Sequence, residues 1–348
     1  MKHRIAIIGL GGMGTWHLNE LQTMEEPEVA GIWDIAEARR DYARARGVFV
    51  YDGLDALLAD EKVDMVLIAT PNDLHRPLAI QAMQAGKHVI SEKPITVSSA
   101  DLEEMIAVSE ATGRFLCVHQ NRRWDEDFLT VKEILKEGRL GPLYRIESRV
   151  QGAHGIPGDW RQEPEKGGGM ILDWGVHLLD QALLLYPSAK IETVYATVTH
   201  VTNTKVDDGF SADLGLDNGI HILVEVGTSN FITLPRWVVL GTNGTAVIED
   251  WALHGKQVCA HGKDEKDVVP VITAAGLTKT MAPRREDTIA SYPLPIVRSD
   301  VRDFYRNVIA HLNGEAERLI KLPEVMRVMK LMKAIETSAK TRQVIYFE

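Results

Sequence analysis

The stretch RIAIIGLGGMGTWHLNEL near the start of the chain limits most strongly what the chain can fold into. A short apolar run is followed at once by the pattern G-x-G-x-x-G and then by a sequence with helical spacing. In a strand–turn–helix unit, the first glycine permits the tight turn, the second lets a pyrophosphate approach the backbone, and the third lets helix and strand pack closely. The segment therefore predicts a dinucleotide-binding turn in which the phosphates lie beside Gly9, Gly11, Gly12, Met13 and Gly14.

A carboxylate further along the chain bears on which dinucleotide is bound. Asp34 lies 20 residues beyond Gly14, at the end of the second predicted strand. A carboxylate there can accept hydrogen bonds from the adenosine ribose and repels a 2′-phosphate, so we expect NAD as the cofactor and NADP less. Arg39 and Arg40 lie about one helical turn further on and could reach a phosphate instead. The alternative for the whole segment is a plain glycine turn followed by a helix-capping aspartate.

The first part of the chain, residues 1–122, alternates short apolar runs with amphipathic stretches. The apolar runs cover residues 5–9, 29–33, 65–69, 88–91 and 115–119, and the amphipathic stretches include 36–46, 74–85 and 100–112. Continuous apolar strands separated by helices are typical of a parallel sheet that is covered on both faces. We predict an α/β domain of the Rossmann type, with a doubly wound parallel sheet, that binds the dinucleotide.

The second part, residues 123–348, has a different pattern. A helix near 127–137 and an alternating strand at 144–150 precede five predicted strands in quick succession, at 191–200, 210–216, 220–227, 237–240 and 246–250, with turn residues typical of hairpins between some of them. This order predicts an antiparallel meander in an α+β domain with a large open, mainly antiparallel sheet. Two closing helices are expected, one over 300–312 behind a Ser299 cap and one over 323–340, and we allow for their packing back toward the first domain.

An open sheet needs some cover for its solvent face and edges. We expect this substrate-binding domain to pair with further copies of the chain, as a homodimer or homotetramer formed through the sheet. The alternative is cover by residues 274–299, which are rich in Pro, Arg and Thr and are expected to form a long surface excursion.

A chain of 348 residues exceeds the roughly 250–300 residues at which single cores stop growing, which favours two domains.

Composition excludes several classes of partner. The net charge of −10 argues against a nucleic-acid partner, and no apolar run approaches the ~18 residues of a membrane span or a signal-peptide pattern. The only cysteines, Cys117 and Cys259, lack motif spacing, so we expect no disulfide framework and no metal site. The natural compartment for such a chain is the cytoplasm.

Two further motifs carry groups that can exchange protons. The sequence HVISEKP places Lys93 at the C-terminal tip of a parallel strand, where open sheets bind ligands, and Pro94 would hold the turn rigid, with a cis peptide as one way to do so. In GGGMILDWGVHLLD, Asp173 and His177 are four residues apart, so a helix would put them on one face. The alternatives are an exposed strand-end lysine, a helix-capping aspartate and a structural histidine.

Together, GLGGMG, ATPNDLH, EKP and DWGVH resemble the glucose–fructose oxidoreductase, inositol dehydrogenase and MocA-like family, and the resemblance runs over the whole chain. It implies a dinucleotide domain, a C-terminal domain whose open sheet often serves oligomerisation, and oxidation of a secondary hydroxyl of a sugar or cyclitol or the reverse reduction. It also implies that Lys93, Asp173 and His177 are catalytic. The residues that it places along the cofactor are Thr70, Pro71, Asn72 and Glu92.

Removing hydride from a secondary alcohol requires a base for the hydroxyl proton, and an imidazole with a pKa near ~6.5 suits that role. We therefore predict His177 as general base, Asp173 as a group that binds a substrate hydroxyl or orients the imidazole, and Lys93 as the cation that polarises the substrate oxygen. His75 is a candidate cofactor neighbour, while His3 and His17 are placed in capping or solvent-edge positions. Besides the three catalytic residues, the candidate substrate-binding residues are Asn121, Arg122, Trp160 and Arg161; Arg123 is as readily a salt-bridged surface residue, Trp124 and Trp174 could present aromatic faces to a sugar, and Trp251 is expected to serve packing.

The sequence thus predicts an NAD-dependent oxidoreductase acting on a sugar, glycoside or cyclitol. One alternative is a redox-neutral enzyme that keeps its NAD and oxidises a sugar transiently to cleave a glycosidic bond. Another is a non-catalytic regulator that responds to NAD.

Overall fold

A five-stranded parallel sheet forms the first part of the computed structural model, which describes residues 2–261 and 268–348. Its strands are β1 (His3–Ile8), β2 (Pro27–Trp33), β3 (Met65–Ile68), β4 (His88–Ser91) and β5 (Leu116–Val118), in the order β2-β1-β3-β4-β5. The helices between them are α1 (Gly12–Gln22), α2 (Glu37–Ala45), α3 (Leu54–Ala59), α4 (His75–Gln84) and α5 (Ser99–Thr112). All neighbouring strands pair in parallel, and every residue of β3 is buried, which confirms the predicted Rossmann-type domain.

The order of these strands fixes where a ligand can bind. The chain runs from β1 outward to β2 and then returns to place β3 on the other side of β1. This reversal is the topological switch point at which open α/β sheets bind ligands, beyond the C-terminal ends of the strands. The glycine turn follows β1 and the Thr70–Asn72 turn follows β3, so both motifs lie at this point.

The second part contains a nine-stranded sheet in the order β15-β12-β11-β10-β6-β9-β8-β7-β16. Its strands are β6 (Leu143–Gln151), β7 (Ile191–Thr199), β8 (Gly209–Leu216), β9 (His221–Gly227), β10 (Trp237–Gly241), β11 (Gly244–Ile248), β12 (Gly255–Ala260), β15 (Ile289–Tyr292) and β16 (Ile345–Tyr346), and a separate hairpin consists of β13 (Val271–Thr273) and β14 (Gly276–Thr278). The sheet is mainly antiparallel, as predicted. The simple meander is wrong, however, because β6 lies between β9 and β10 and pairs in parallel with β9. The connection from β9 to β10 spans residues 228–236 instead of a tight turn, which lets it pass β6.

In the described part of the chain, four further α-helices complete the fold: α6 (Glu126–Glu137), α7 (Val176–Leu185), α8 (Asp303–Leu312) and α9 (Leu322–Thr341). Helices α7 and α9 pack on one face of the large sheet, and their apolar side chains join its core. The other face carries half-exposed side chains in the alternating positions of the strands. Within residues 2–261 and 268–348, no helix combines the length and apolar character needed to cross a membrane.

The start of α8 differs from the prediction. The helix begins at Asp303, not directly behind Ser299, because residues 300–302 form a separate turn in which the Asp300 carboxylate accepts from the Arg302 backbone N–H at 3.0 Å. Ser299 instead donates its backbone N–H to Glu126 at 3.3 Å. The predicted excursion over residues 274–299 contributes β14 and the edge strand β15, which pairs with β12 and so extends the sheet.

Candidate active site

The glycine turn between β1 and α1 has two glycines that the fold requires and two that leave space. A Cβ on Gly9, whose φ is +91°, would lie 2.7 Å from the Ala69 carbonyl oxygen, and one on Gly14 would lie 2.0 Å from the Gly9 carbonyl oxygen. A Cβ on Gly11 or Gly12 would meet no described atom within 4 Å. This open space lies at the N-terminus of α1, where no side chain caps the free N–H groups. The turn therefore fits an anion such as a pyrophosphate.

Asp34 ties the end of β2 to this turn. Its Oδ2 accepts from the Leu10 backbone N–H at 2.6 Å and its Oδ1 from Ala36 at 2.8 Å, so each oxygen keeps further acceptor capacity. The Arg40 guanidinium pairs with Glu37 and donates to the Asp34 carbonyl oxygen at 2.7 Å. Arg40 is therefore engaged within its own helix turn, whereas Arg39 is exposed.

The turn after β3 is joined to the turn after β4 by His75. This histidine is fully buried, and its ring nitrogens lie 2.8 Å from the Pro94 carbonyl oxygen and 2.9 Å from the Thr70 carbonyl oxygen. Burial lowers the pKa of the imidazole, while the two carbonyls oppose that shift. Both ring nitrogens are thus occupied by backbone groups. Asn72 reaches across to the second domain, where its amide donates to the Gly167 carbonyl oxygen at 2.9 Å.

A buried carboxylate lies beneath Lys93. Glu92 Oε1 is 2.8 Å from both His17 Nε2 and His119 Nδ1, and its Oε2 accepts from the Lys93 backbone N–H at 3.1 Å. The expected solvent-edge position of His17 is wrong, because its side chain is 0% exposed and its Nδ1 contacts the Tyr305 hydroxyl of α8. Burial lowers the pKa of His17 to about 4, so it serves Glu92 as a neutral hydrogen-bond donor. No sequence pattern links these groups, because Tyr305 lies 288 residues from His17.

Lys93 of the first part of the chain contacts Asp173 of the second part. The Lys93 ammonium donates to the Asp173 carbonyl oxygen at 2.8 Å and to its Oδ1 at 2.9 Å, and both side chains are 15% exposed. Arg161 donates to the second carboxylate oxygen, Oδ2, at 3.3 Å. The peptide between Lys93 and Pro94 is cis. The structure therefore brings the EKP lysine to the DWGVH aspartate.

The helix that carries Asp173 and His177 is not a regular α-helix. Residues Ile171–Gly175 form a π-helical turn, and α7 starts only at Val176. Asp173 and His177 therefore do not share a regular α-helix, and the i, i+4 geometry expected from their spacing does not apply. Among the described residues, Asp173 bonds to Lys93 and Arg161 and makes no hydrogen bond to His177. The structure thus lends no support to an orienting role of Asp173 toward the imidazole, and the other predicted role, binding a substrate hydroxyl, stays a prediction.

The charges of the site set its protonation states. Burial acts to raise the pKa of Asp173, but the cations Lys93 and Arg161 outweigh it and hold that pKa below its usual value. Burial lowers the pKa of His177 well below its ordinary value, and the charges of Lys93 and Arg122 lower it further. His177 is 4% exposed, and its Nδ1 is buried without a partner among the described residues. At neutral pH the site thus holds an ionised carboxylate and a neutral imidazole.

The 3₁₀ turn Asn121–Trp124 beyond β5 supplies the remaining candidates. The Arg122 guanidinium stacks over the Trp174 ring at 4.3 Å, and its backbone carbonyl accepts from Gln181 of α7 at 2.8 Å. Arg123 points elsewhere: it binds both carboxylate oxygens of Asp180, at 2.7 and 2.8 Å. Asn121 is half-buried in the same turn.

The tryptophans predicted from the sequence differ in how close they lie to the site. Trp160 lies beside the site through Arg161, whose guanidinium is 4.6 Å from the Trp160 ring centroid. Trp124 packs against Phe304 of α8. Trp251, which was expected to serve packing, is 52% exposed, and its ring centroid lies 6.2 Å from that of Trp174. Nothing in its local sequence indicates that neighbour, because the contact joins a hairpin turn to the π-helical turn.

Comparisons with known proteins cover both parts of the chain. The family model described as "Oxidoreductase family, NAD-binding Rossmann fold" matches residues 3–120, and the "GFO/IDH/MocA C-terminal domain" matches residues 128–247. An uncharacterised oxidoreductase of Schizosaccharomyces pombe is 30% identical over 315 residues, which cover 84% of each chain. The scyllo-inositol 2-dehydrogenase (NADP(+)) IolW of Bacillus subtilis is 26% identical, over 99% of this chain and 96% of its own. The crystal structure of an NAD-binding protein from Listeria innocua superposes with a TM-score of 0.96 at 44% identity, over 99% of both chains.

Proposed function

Because the chain belongs to the GFO/IDH/MocA oxidoreductase family, we propose that it transfers a hydride between a secondary hydroxyl and a nicotinamide. The substrate class of this proposal is a sugar, glycoside or cyclitol. The observation that carries it is the contact of Lys93 with Asp173, beside a neutral His177, at the C-terminal edge of the parallel sheet. An acid–base set at that edge is what alcohol oxidation requires. The inositol dehydrogenase relative at 26% identity supports the substrate class.

For the cofactor we propose NAD over NADP. The support is Asp34, whose carboxylate borders the glycine turn, together with Arg40, which is engaged by Glu37. The dinucleotide would lie along Gly9–Gly14, the Thr70–Asn72 turn and the Glu92–Lys93 tip, and when bound it supplies the hydride acceptor. One relative is named as an NADP-dependent enzyme, so the preference for NAD over NADP is to be measured.

The proposed mechanism assigns a proton path to this chain's own groups. An ammonium has three N–H donors. Lys93 uses two of them, one for the Asp173 carbonyl oxygen and one for its carboxylate, so the third remains for a substrate oxygen. That donor polarises the oxygen and stabilises the developing alkoxide. His177 accepts the hydroxyl proton at Nε2, because Nδ1 is buried. Asp173 stays anionic, which holds Lys93 in place and leaves carboxylate lone pairs for a second substrate hydroxyl.

We further propose that the chain divides near residue 122 into a cofactor-binding unit and a unit for substrate binding and self-association. One row of side chains crosses the open face of the large sheet through strands β7, β8, β9, β6, β10, β11 and β12. Its members are Tyr195, Asp213, Leu223, Glu147, Val238, Val247 and Lys256. Mixed apolar and charged groups of this kind suit a homodimer or homotetramer.

We also propose a cytoplasmic location, because both cysteines are free and buried, as is usual in a reducing compartment.

The test is a screen of monosaccharides, inositols and glycosides with NAD and NADP in parallel, preceded by measurement of the nicotinamide absorbance of protein purified without added cofactor. We expect net NADH formation with a cyclic polyol or sugar, and its loss in Lys93→Ala. The matched control is Lys62→Ala, an exposed lysine in the same domain, which should behave as wild type. Tightly bound NAD with product formation but no net NADH would favour the glycoside-cleaving alternative. Cofactor binding without any turnover would overturn the proposal in favour of a regulator.

A further inference from the structure

An aromatic surface extends the candidate site outward from His177. The Trp174 ring lies 6.0 Å from the His177 ring, and the Trp251 ring follows 6.2 Å beyond Trp174, with 44° between the two indole planes. We call Trp174 and Trp251 together the indole wall. Trp174 is half-buried, whereas Trp251 is 52% exposed. The wall therefore runs from His177 to an indole that leaves about half of its surface exposed.

The turn that carries Trp251 is closely specified. It joins β11 to β12, and the Asp250 carboxylate accepts from the backbone N–H groups of Ala252 at 3.0 Å and His254 at 3.2 Å. The same carboxylate lies 2.6 Å from the His254 ring, and Leu253 adopts a positive φ of 63°. Positive φ is uncommon for a leucine, so these bonds hold a conformation that the chain would not adopt by itself. The turn therefore holds the Trp251 indole in a defined position outside the hydrophobic core.

A contrast within the same sheet shows that this placement is not ordinary packing. Trp237, at the start of β10, is 0% exposed, and its indole N–H donates to Asp127 at 2.9 Å. Trp251 makes no hydrogen bond among the described residues and leaves half of its surface open. Its contacts are with Trp174 and with the guanidinium groups of Arg122 and Arg236, at 5.4 and 4.9 Å.

The Arg122 guanidinium lies close to both indole rings and has N–H groups that donate to no described residue. Its guanidinium is 4.3 Å from the Trp174 ring centroid and 5.4 Å from that of Trp251, which fixes the plane of the group. Among the described residues it donates one hydrogen bond, from Nη1 to Asp125 at 2.9 Å, and its buried Nε has no partner. A buried donor without a partner is costly and calls for a ligand or a water. The site thus combines an apolar face with fixed N–H donors beside it.

We propose that Trp251 is a specificity-determining residue that packs against the C–H face of a ring-shaped polyol, a pyranose or a cyclitol, while Arg122 donates to its ring hydroxyls. A flat ring presents its C–H bonds together on one face and its hydroxyls around the rim, which matches an indole face bordered by a guanidinium. An open-chain polyol cannot present both at once. The inference rests on the proposed function and adds to it a preference for rings over open chains.

The test uses the full-length enzyme and the variants Trp251→Ala, Trp251→Phe and Tyr42→Ala. Tyr42 is the matched control, because it is an exposed aromatic residue that contacts an arginine, Arg46, at 5.4 Å, on α2. We expect Trp251→Ala to raise KM for a cyclic substrate by about 3- to 10-fold with kcat within about 2-fold, the pattern of lost uniform binding. Trp251→Phe should recover most of the loss, and Tyr42→Ala should match wild type. The KM for an open-chain substrate should not change in any variant.

A second readout separates this inference from the proposed function. Calorimetric titration of NAD-loaded protein with myo-inositol or a methyl glucoside measures binding whether or not turnover occurs. We expect Trp251→Ala to weaken the binding by the same factor while the dissociation constant for NAD stays unchanged. Unchanged KM and unchanged binding in Trp251→Ala would overturn the inference and leave the oxidoreductase proposal standing. So would unchanged binding together with a changed oligomeric state, since Trp251 would then be a subunit contact. Binding that depends on Trp251 without turnover would support the inference while the proposed reaction failed.

Discussion

Lys93 and Asp173 belong to different parts of the chain, and their contact at 2.9 Å makes each depend on the other. The ammonium keeps the carboxylate ionised, and the carboxylate fixes the direction of the ammonium. His177 remains outside this pair and is kept neutral by burial and by the neighbouring cations. This separation is what the proposed mechanism uses, with Lys93 holding the substrate oxygen and His177 accepting its proton.

Replacing His177 should separate chemistry from cofactor binding. We expect His177→Ala to lower kcat by ~10²–10⁴-fold, the usual contribution of a general base. The dissociation constant for NAD, measured by fluorescence titration, should change little, because no cofactor role is assigned to this imidazole. An equal loss of NAD affinity and turnover would contradict the assignment.

The pH profile follows from the direction of the His177 shift. The imidazole must be neutral to accept the hydroxyl proton, and its lowered pKa keeps it neutral until the solution is acidic. We therefore expect kcat/KM for alcohol oxidation to stay level down to at least pH ~6.5 and to fall only below that value. The measurement is an initial-rate profile in the oxidation direction. An acidic limb centred at or above pH ~7 would contradict this protonation state.

Asp34 should control the choice of cofactor. The variant Asp34→Asn keeps an oxygen that can accept from the Leu10 N–H but removes the charge that repels a 2′-phosphate. We expect the ratio of kcat/KM with NAD to that with NADP to fall, while the preferred sugar stays the same. A ratio equal to that of wild type would place the discrimination elsewhere, with exposed Arg39 as the next residue to replace.

At the scale of elements, local sequence predicted the strands and the strand-end motifs well. Apolar runs located β1 to β5, and the glycine pattern and EKP marked the two turns where they occur, because each depends on residues that are close in sequence. The π-helical turn at Ile171–Gly175 could not be read from an i, i+4 pattern that suits an ordinary α-helix equally well. The pairing of β6 with β9 and the link from His17 to Tyr305 depend on contacts between distant segments. No local pattern encodes such contacts.

The ion pair between the turn after β5 and α7 should matter for stability. Arg123 binds Asp180 through two hydrogen bonds and also Glu324 of α9 at 2.9 Å, and the Asp180 side chain is only 4% exposed. Burial raises the pKa of Asp180, so an unpaired carboxylate there is unfavourable. We expect Arg123→Ala to lower the free energy of unfolding by about 3–5 kcal/mol in urea denaturation.

The matched control for that measurement is Arg76→Ala. Arg76 also pairs with a carboxylate, Glu104, but the side chains are 40% and 47% exposed. An exposed pair contributes about 0–1 kcal/mol, so this variant should unfold close to wild type. Equal effects of the two substitutions would show that the Arg123 pair gains nothing from its burial.

At the scale of the whole molecule, the nine-stranded sheet has helices on one face and none of comparable length on the other among the described residues. The segment 274–299 adds β15 at the edge beside β12. The middle of the open face, around Leu223, Glu147 and Val238, is half-exposed. This is the surface on which we expect a second copy of the chain to pack.

A charge placed in the middle of that face should dissociate the assembly. We expect wild type to elute as a dimer or tetramer in size-exclusion chromatography with light scattering, and Val238→Arg to shift it toward monomer, because a guanidinium in place of an apolar side chain would have to lose its water in the interface. Ile272→Arg is the control, since Ile272 is 82% exposed on the separate β13–β14 hairpin. A wild-type protein that is monomeric at micromolar concentration would contradict the proposed interface.

The hydrogen bond from the Tyr305 hydroxyl to His17 has a consequence for the order in which the polypeptide matures. A growing chain emerges from the ribosome with its amino end first, and domains generally fold as they appear. In this protein, His17 and His119, which hold the buried Glu92 carboxylate, also contact Tyr305 and Phe304 of α8, and these two aromatic residues are synthesised long after the parallel sheet. The packing around Glu92 can therefore be completed only after α8 has been synthesised.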